Sequence, residues 1–362
     1  MGCRCQKGVH VKKAKIADVA EAAGVSTSTV SNYLNGRFHT MSGPTKEKIE
    51  QAIARLDYVP SLSARRLSSK GKGQTVCVIV PTLLFNNGLY DNGYGAMIHA
   101  LSSLAMKKEY HILVYVRTMH DIQKEIDFIR GMSASIIDGF ICYDLRESDP
   151  YFQCFEAEQI PYVCIGKYRN MEDYHYVASD HGKVTKEAVM YLAGLGHRKI
   201  LLIAEGLGNI VYDVRLSAYE EAVREAGLPF EPDYIMESDY ITEEGREADS
   251  RRFEHLWNSP RRPTAVIVVQ SALGIIERAV PKFHIRIPEE LSVIVLNYQN
   301  NGTLGLKYTN SPTQIADVVG VAFKKLLRNI DNPKQRFKSQ LVQLDFVEGE
   351  TTAGPGHLET DG

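Results

Sequence analysis

Residues 24–35 read GVSTSTVSNYLN, a run with five serine and threonine hydroxyls beside three large aliphatic side chains, Val25, Val30 and Leu34. Such hydroxyls carry no charge and are weak nucleophiles on their own; what they do well is donate and accept hydrogen bonds. A helix entering the major groove of DNA, roughly 12 Å wide, needs short side chains where backbones approach and hydrogen-bonding tips where base edges lie. Ser26, Thr27, Ser28, Thr29, Ser31, Asn32 and Asn35 are therefore candidate DNA-contacting residues. Asn32 is able to make a paired contact with adenine. The plainer alternative is that Ser26 only caps a helix, Thr29 packs, and the rest meet water.

Catalytic chemistry finds little support. No Ser, His and Asp set and no metal-ligand cluster stands at a motif spacing, and His99, His197 and His284 read as helix or loop residues. Cys3 and Cys5 with His10 lack a fourth ligand. The other cysteines, 77, 142, 154 and 164, sit in apolar runs such as VCVIV and YVCIG and read as buried free thiols. No enzyme activity, cofactor or metal is expected.

The hydroxyl-rich run must be held by its neighbours. Ile16, Val19, Ala20 and Ala23 recur at helical spacing, and Gly24 breaks the pattern. A second helix starts at Ser26, whose side chain can accept a free N–H of the first turn, and ends at Gly36. Ser42 can cap a third helix, with Pro44 in its first turn and Ile49, Ile53 and Leu56 on one face. Three short helices with a tight glycine turn make an all-α helix-turn-helix headpiece.

The formal net charge of −2 conceals a division. Residues 1–75 hold 13 Lys and Arg against 5 acids, whereas the remainder holds 29 bases against 39 acids. A basic head on an acidic body implies that the head meets a polyanion. No long apolar run and no hydrophobic secretory segment is present, so a cytoplasmic protein with no membrane contact is expected.

In the body, apolar runs at 76–80, 111–116, 136–142, 161–165, 199–204, 264–269 and 291–296 read as strands, with helical segments between them such as 93–108, 181–195, 213–227 and 271–281. Continuous apolar strands separated by helices imply parallel sheets covered on both faces, in numbers that fit a two-lobed α/β body with ligands at the carboxyl ends of the strands. Between head and body, PSLSARRLSSKGKG reads as a linker, or as a hinge that folds on a surface, with Arg65 and Arg66 beside the apolar Leu67.

IADVAEAAGVSTSTVSNYLNG, then TKEKIEQAIARLDYVPS, then SARRL resemble the headpiece and hinge of the lactose/galactose-repressor (LacI/GalR) family of bacterial transcription regulators. The body resembles the family at IVP (79–81), DGFI (138–141), IPYVCIG (160–166), YLAGLGHRKI (191–200), Arg215, IPEELSVI (287–294) and the closing GETTAGP. The resemblance spans about residues 14–355 and implies a periplasmic-binding-protein-like body. It implies that Thr27, Ser28 and Asn32 read bases and that Leu67 wedges into the central base step from the minor groove. Family members mostly have Arg where Asn32 stands, so a shift from guanine toward adenine is expected in the operator.

The same resemblance places the effector site at Lys167, Asp180, His181, Arg215, Gln270, Ser271 and Asn297. Sugar-binding relatives usually carry acids where Gln270-Ser271 and Asn297-Tyr298 stand here, while Arg215 is kept. Lost carboxylates beside retained bases lead to the expectation of a sugar acid or phosphorylated sugar as effector. The expected protein is a homodimeric regulator, most simply a repressor of carbohydrate genes, bound to a pseudo-palindromic operator in double-stranded DNA and controlled by a small effector. A ligand-independent DNA-binding protein, or one under a protein co-regulator, remains the alternative. The expected domains are a disordered basic tail (1–14), the headpiece (15–60), the hinge (61–74), an N-terminal lobe (75–177 plus 309–335) and a C-terminal lobe (178–308 plus 336–350).

Overall fold

A computed structural model describes residues 14–34, 36–59, 73–81, 92–117, 121–143, 151–167, 175–206, 210–240, 242–299 and 302–356. The chain divides into two compact units, Met1–Val76 with Lys124–Asp138, and Cys77–Gln123 with Gly139–Gly362.

The N-terminal part of the first unit folds as three α-helices, α1 (Ile16–Ala23), α2 (Thr27–Leu34) and α3 (Gly43–Arg55). Asp18 accepts the Lys15 N–H at 2.6 Å and so begins α1. Gly24 ends it at φ +66°, a left-handed conformation that a side chain would strain. The Val25 N–H then donates to the Ala20 carbonyl at 3.0 Å, turning the chain into α2. Ser42 caps α3 through the Thr45 N–H, with Pro44 in the first turn, as expected. Val19, Ala20, Ala23, Val30, Ile49, Ala52 and Tyr58 form the small core these helices share.

The second unit carries two sheets, covered by helices as continuous apolar strands require. The first runs in the order β11 (Gln340–Val342), β5 (Tyr176–Ser179), β4 (Tyr162–Ile165), β3 (Gly139–Tyr143), β1 (Thr75–Pro81), β2 (His111–Arg117). The helices that belong with it include α4 (Asn92–Met106), α6 (Tyr151–Glu158) and α11 (Ile315–Asp331), which packs on α4 and on β3, β4 and β5. Helix α5 (Ile122–Ser135) lies almost wholly in the first unit. The second sheet runs β10 (Thr309–Pro312), β9 (Ser292–Tyr298), β8 (Ala265–Val269), β6 (Ile200–Glu205), β7 (Ile235–Ser238). Helices α7 (His181–Gly194), α8 (Ile210–Glu225), α9 (Glu243–Trp257) and α10 (Leu273–Phe283) intervene between its strands or precede them. Strands β11, β5, β4 and β3 pair in parallel, as do β10, β9, β8, β6 and β7, and β6, β8 and β9 are buried almost throughout.

Sheet membership moves three of the expected boundaries, the first because β5 keeps the chain in the first sheet to Ser179 rather than 177. Thr309–Pro312 completes the second sheet and Gln340–Val342 the first, so the chain crosses after residues 312 and 342 rather than at 309 and 336. It then returns to the second lobe, where the Val293 N–H donates to the Thr351 carbonyl at 2.8 Å. The strand expected over 136–142 starts only at Gly139, because the N–H groups of Ile136 and Ile137 still close the last helical turn onto the Met132 carbonyl at 2.9 Å. Cys77, Cys142, Cys154 and Cys164 are buried free thiols, and burial pushes the Cys77 thiol up, out of reach of ionisation at neutral pH.

Candidate nucleic-acid interface and effector site

Helix α2 buries one residue completely, Val30, and turns a polar side outward. Ser26 Oγ accepts the Thr29 N–H at 3.2 Å, and lies 2.7 Å from Ser28 Oγ and 2.8 Å from Thr29 Oγ1. Three of the candidate hydroxyls are therefore joined in one capping network. Thr27 and Ser28 are exposed, while Ser31 and Asn32, one turn further on, are half-buried. These four residues lie at spacings that put them on the same side of the first two turns. No acid stands in the first turn of α2, so no carboxylate of that turn offsets the positive end of the helix dipole. The far end is fixed by Tyr33, whose O–H donates to Glu50 at 2.8 Å and whose ring meets Phe38 edge-on at 5.6 Å. Lys46 lies over the Phe38 ring at 4.7 Å. Asn35, Arg65, Arg66 and Leu67 lie outside the described residues, as does all of the hinge except Gly73 and Gln74.

In the second unit the carboxyl ends of the second sheet collect most of the other expected residues. Arg215, on α8, is wholly buried, and its Nη1 forms an ion pair with Oε2 of Glu205, the last residue of β6. Its Nη2 faces His181 Nδ1 at 3.3 Å. Arginine has only donors, so Nδ1 is the acceptor and the His181 proton sits on Nε2. Loss of solvent around the ring, then the Arg215 charge, hold His181 well below its ordinary value; it is neutral. Asp180 takes another role, accepting the Lys183 N–H at 3.0 Å as the cap of α7.

Gln270 opens the 3₁₀ turn after β8, and its Oε1 accepts the Gln299 N–H at 3.3 Å, tying the ends of β8 and β9. Asn297 has φ +57°, and its carbonyl accepts the Thr313 hydroxyl at 2.9 Å. Ser271 is exposed, and Lys167 stands exposed after β4 of the other sheet. An open groove between α7 and α8 contains Asp180 but not Arg215, Gln270 or Asn297, and its walls mix Lys183 and Lys186 with Asp213 and Glu221.

Glu205 is the site residue that the sequence reading passed over. The expectation of a pocket with surplus positive charge took Arg215 as uncompensated; the Glu205 carboxylate compensates it. Acids are absent at the ends of β8 and β9 but present at those of β6 and β7, as Glu205, Glu237 and Asp239. The only available signal was an acid closing the apolar run ILLIAE.

His197 belongs to no site. It is buried: Nε2–H donates to the Ala353 carbonyl at 2.8 Å and Nδ1 accepts from the Thr264 hydroxyl at 2.9 Å, which fastens the closing segment to the second sheet.

Two family models match the chain. Bacterial regulatory proteins, lacI family, covers residues 15–61, and the periplasmic binding protein-like domain covers residues 189–352. Catabolite control protein A of Priestia megaterium is 28% identical over 332 residues, 91% of this chain and 96% of that protein. The ribose operon repressor of Haemophilus influenzae is 26% identical over 359 residues, 93% and 98%. Among solved structures, the Lac repressor dimer bound to operator and the anti-inducer ONPF superimposes with a TM-score of 0.77 at 23% identity, covering 94% of this chain and 100% of that one. A complex of the transcriptional regulator CelR with cellobiose gives 0.64 at 21%, with 94% and 100% covered.

Proposed function

We propose, on the premise that this chain belongs to the lacI family of bacterial regulatory proteins and is a DNA-binding transcriptional regulator, that it represses genes of carbohydrate use under a small effector. The outward polar side of α2, held by its Ser26 cap and the Val30 anchor, is the observation that carries the DNA half of this reading. Thr27, Ser28, Ser31 and Asn32 would contact bases and phosphates, with Asn35 at the end of the run and Ser26 and Thr29 holding the helix start. Two headpieces of a homodimer would read the halves of a pseudo-palindrome, and Arg65, Arg66 and Leu67 of each hinge would enter the minor groove at its centre. The setting is the cytoplasm; no described helix is long and apolar enough to cross a membrane.

For the effector half, the names of the relatives point to sugars: a ribose operon repressor and a regulator bound to cellobiose are both similar to this chain. The carboxyl ends of β6, β8 and β9, with Glu205, Arg215, His181, Gln270 and Asn297, are the proposed seat, and Asp180, Ser271 and Lys167 are its further proposed members. Ligand and operator must prefer different lobe arrangements for one to control the other. A sugar acid or sugar phosphate would require Arg215 to exchange Glu205 for the ligand. That internal pair favours a second reading, in which the pocket takes no small molecule and a protein co-regulator acts instead.

The test is fluorescence anisotropy of the full chain on promoter fragments recovered by genome-wide mapping of its bound sites. Specific binding that is lost when residues 1–74 are deleted is the expected result; unchanged binding would overturn it. Absence of thermal stabilisation by any member of a broad sugar panel would favour the co-regulator.

A further inference from the structure

Arg215 has no exposed surface, and its Nε and Nη1 form no hydrogen bond beyond the ion pair with Glu205. The Glu205 side chain is 12% exposed, with almost none of that exposure at Oε2, the atom facing the guanidinium. His181, on the other side of the guanidinium, is neutral. The three groups together therefore carry no net charge. An anion arriving at Arg215 would face the Glu205 carboxylate across one cation in a water-poor setting, an arrangement of like charges that is strongly unfavourable. An uncharged hydroxyl meets no such opposition, since it can accept from the guanidinium and donate to the carboxylate at once.

We infer that Glu205 is a specificity-determining residue, a built-in counterion that makes the Arg215 site select an uncharged polyhydroxylated ligand and reject its anionic derivatives. This rests on the effector reading above. It differs from that reading in assigning the choice between neutral and anionic ligands to one side chain ten residues before Arg215.

The test is calorimetric titration of the full chain, wild type and Glu205→Gln, with a panel of neutral sugars, each beside its uronic acid and its 6-phosphate. Thermal unfolding in sodium sulfate against sodium chloride at matched ionic strength accompanies it. The wild type is expected to prefer a neutral sugar to its anionic derivatives by at least about tenfold, and Glu205→Gln to shift that ratio toward the anion by a similar factor. Sulfate should raise the Tm of Glu205→Gln more than that of the wild type, and the double variant Glu205→Gln with Arg215→Gln should lose this response. An unchanged ratio, or equal sulfate responses in wild type and Glu205→Gln, overturns the proposal. If no sugar binds either protein while Glu205→Gln alone gains the sulfate response, the effector reading fails and the charge assignment stands. Should the amide variant not fold, Glu205→Ala replaces it; it too removes the carboxylate, and a neutral-to-anion ratio identical to that of the wild type overturns the proposal equally.

Discussion

At the residue scale, two side chains divide the functional argument. Asn32 lies one turn past the start of α2, on the polar side that Val30 turns outward. Asn32→Ala should reduce discrimination at one operator base pair by about 1–3 kcal/mol while leaving non-specific affinity nearly constant. Competition between operators differing at that pair measures it, and uniform weakening across all sequences would argue for a phosphate contact instead. The helical placing of Asn32 was legible in advance, because a capping serine and apolar spacing mark out α2. Glu205 was not: one acid after five apolar residues resembles any strand end, and its partner sits on the next helix with no periodicity to link the two.

At the element scale, the turn between α1 and α2 is the most exposed to a single change. A Cβ at Gly24 would meet nothing within 4 Å, so Gly24→Ala carries only the cost of the left-handed conformation, about 1–2 kcal/mol. Urea unfolding followed by circular dichroism should show that loss, together with weakened operator binding; a neutral result would mean the turn relaxes to another shape. Ser42→Ala, by removing the cap of α3, should cost about 1 kcal/mol in the same experiment. The headpiece was readable because caps, glycine and apolar spacing agree there. The strands Tyr176–Ser179, Ile235–Ser238 and Gln340–Val342 went unnamed because three or four residues are too few for a pattern to emerge. They exist because a neighbouring strand offers its free edge, a tertiary cause that no local window contains.

At the scale of the whole molecule, the buried His175 and His197 and the partly buried His181 contribute to the response to acid. Loss of solvent is the leading cause that lowers His175, His181 and His197 below the ordinary 6.5. The unfolded chain takes up these protons first, so the stabilisation is present above about pH 6.5 and is lost as pH falls below it. Calorimetric Tm should drop between pH 7 and 5, and Gln in place of His197 should flatten that slope; a Tm independent of pH in this range would refute the account. Thr351 is also wholly buried, donating to the Val293 carbonyl at 2.7 Å and accepting the Thr309 N–H at 2.9 Å. Thr351→Val should cost about 1–3 kcal/mol in chemical denaturation, because two buried backbone groups lose their partner.

The crossings after 312 and 342 carry a further consequence for how the protein is made. Strand β11 must join the first sheet and Thr351 must reach the second, so the first lobe cannot close before residue 342 is made, nor the second before residue 351. The headpiece, finished by Tyr58, can fold long before. A nascent chain stalled near residue 300 would thus present a formed helical headpiece on an unfinished body.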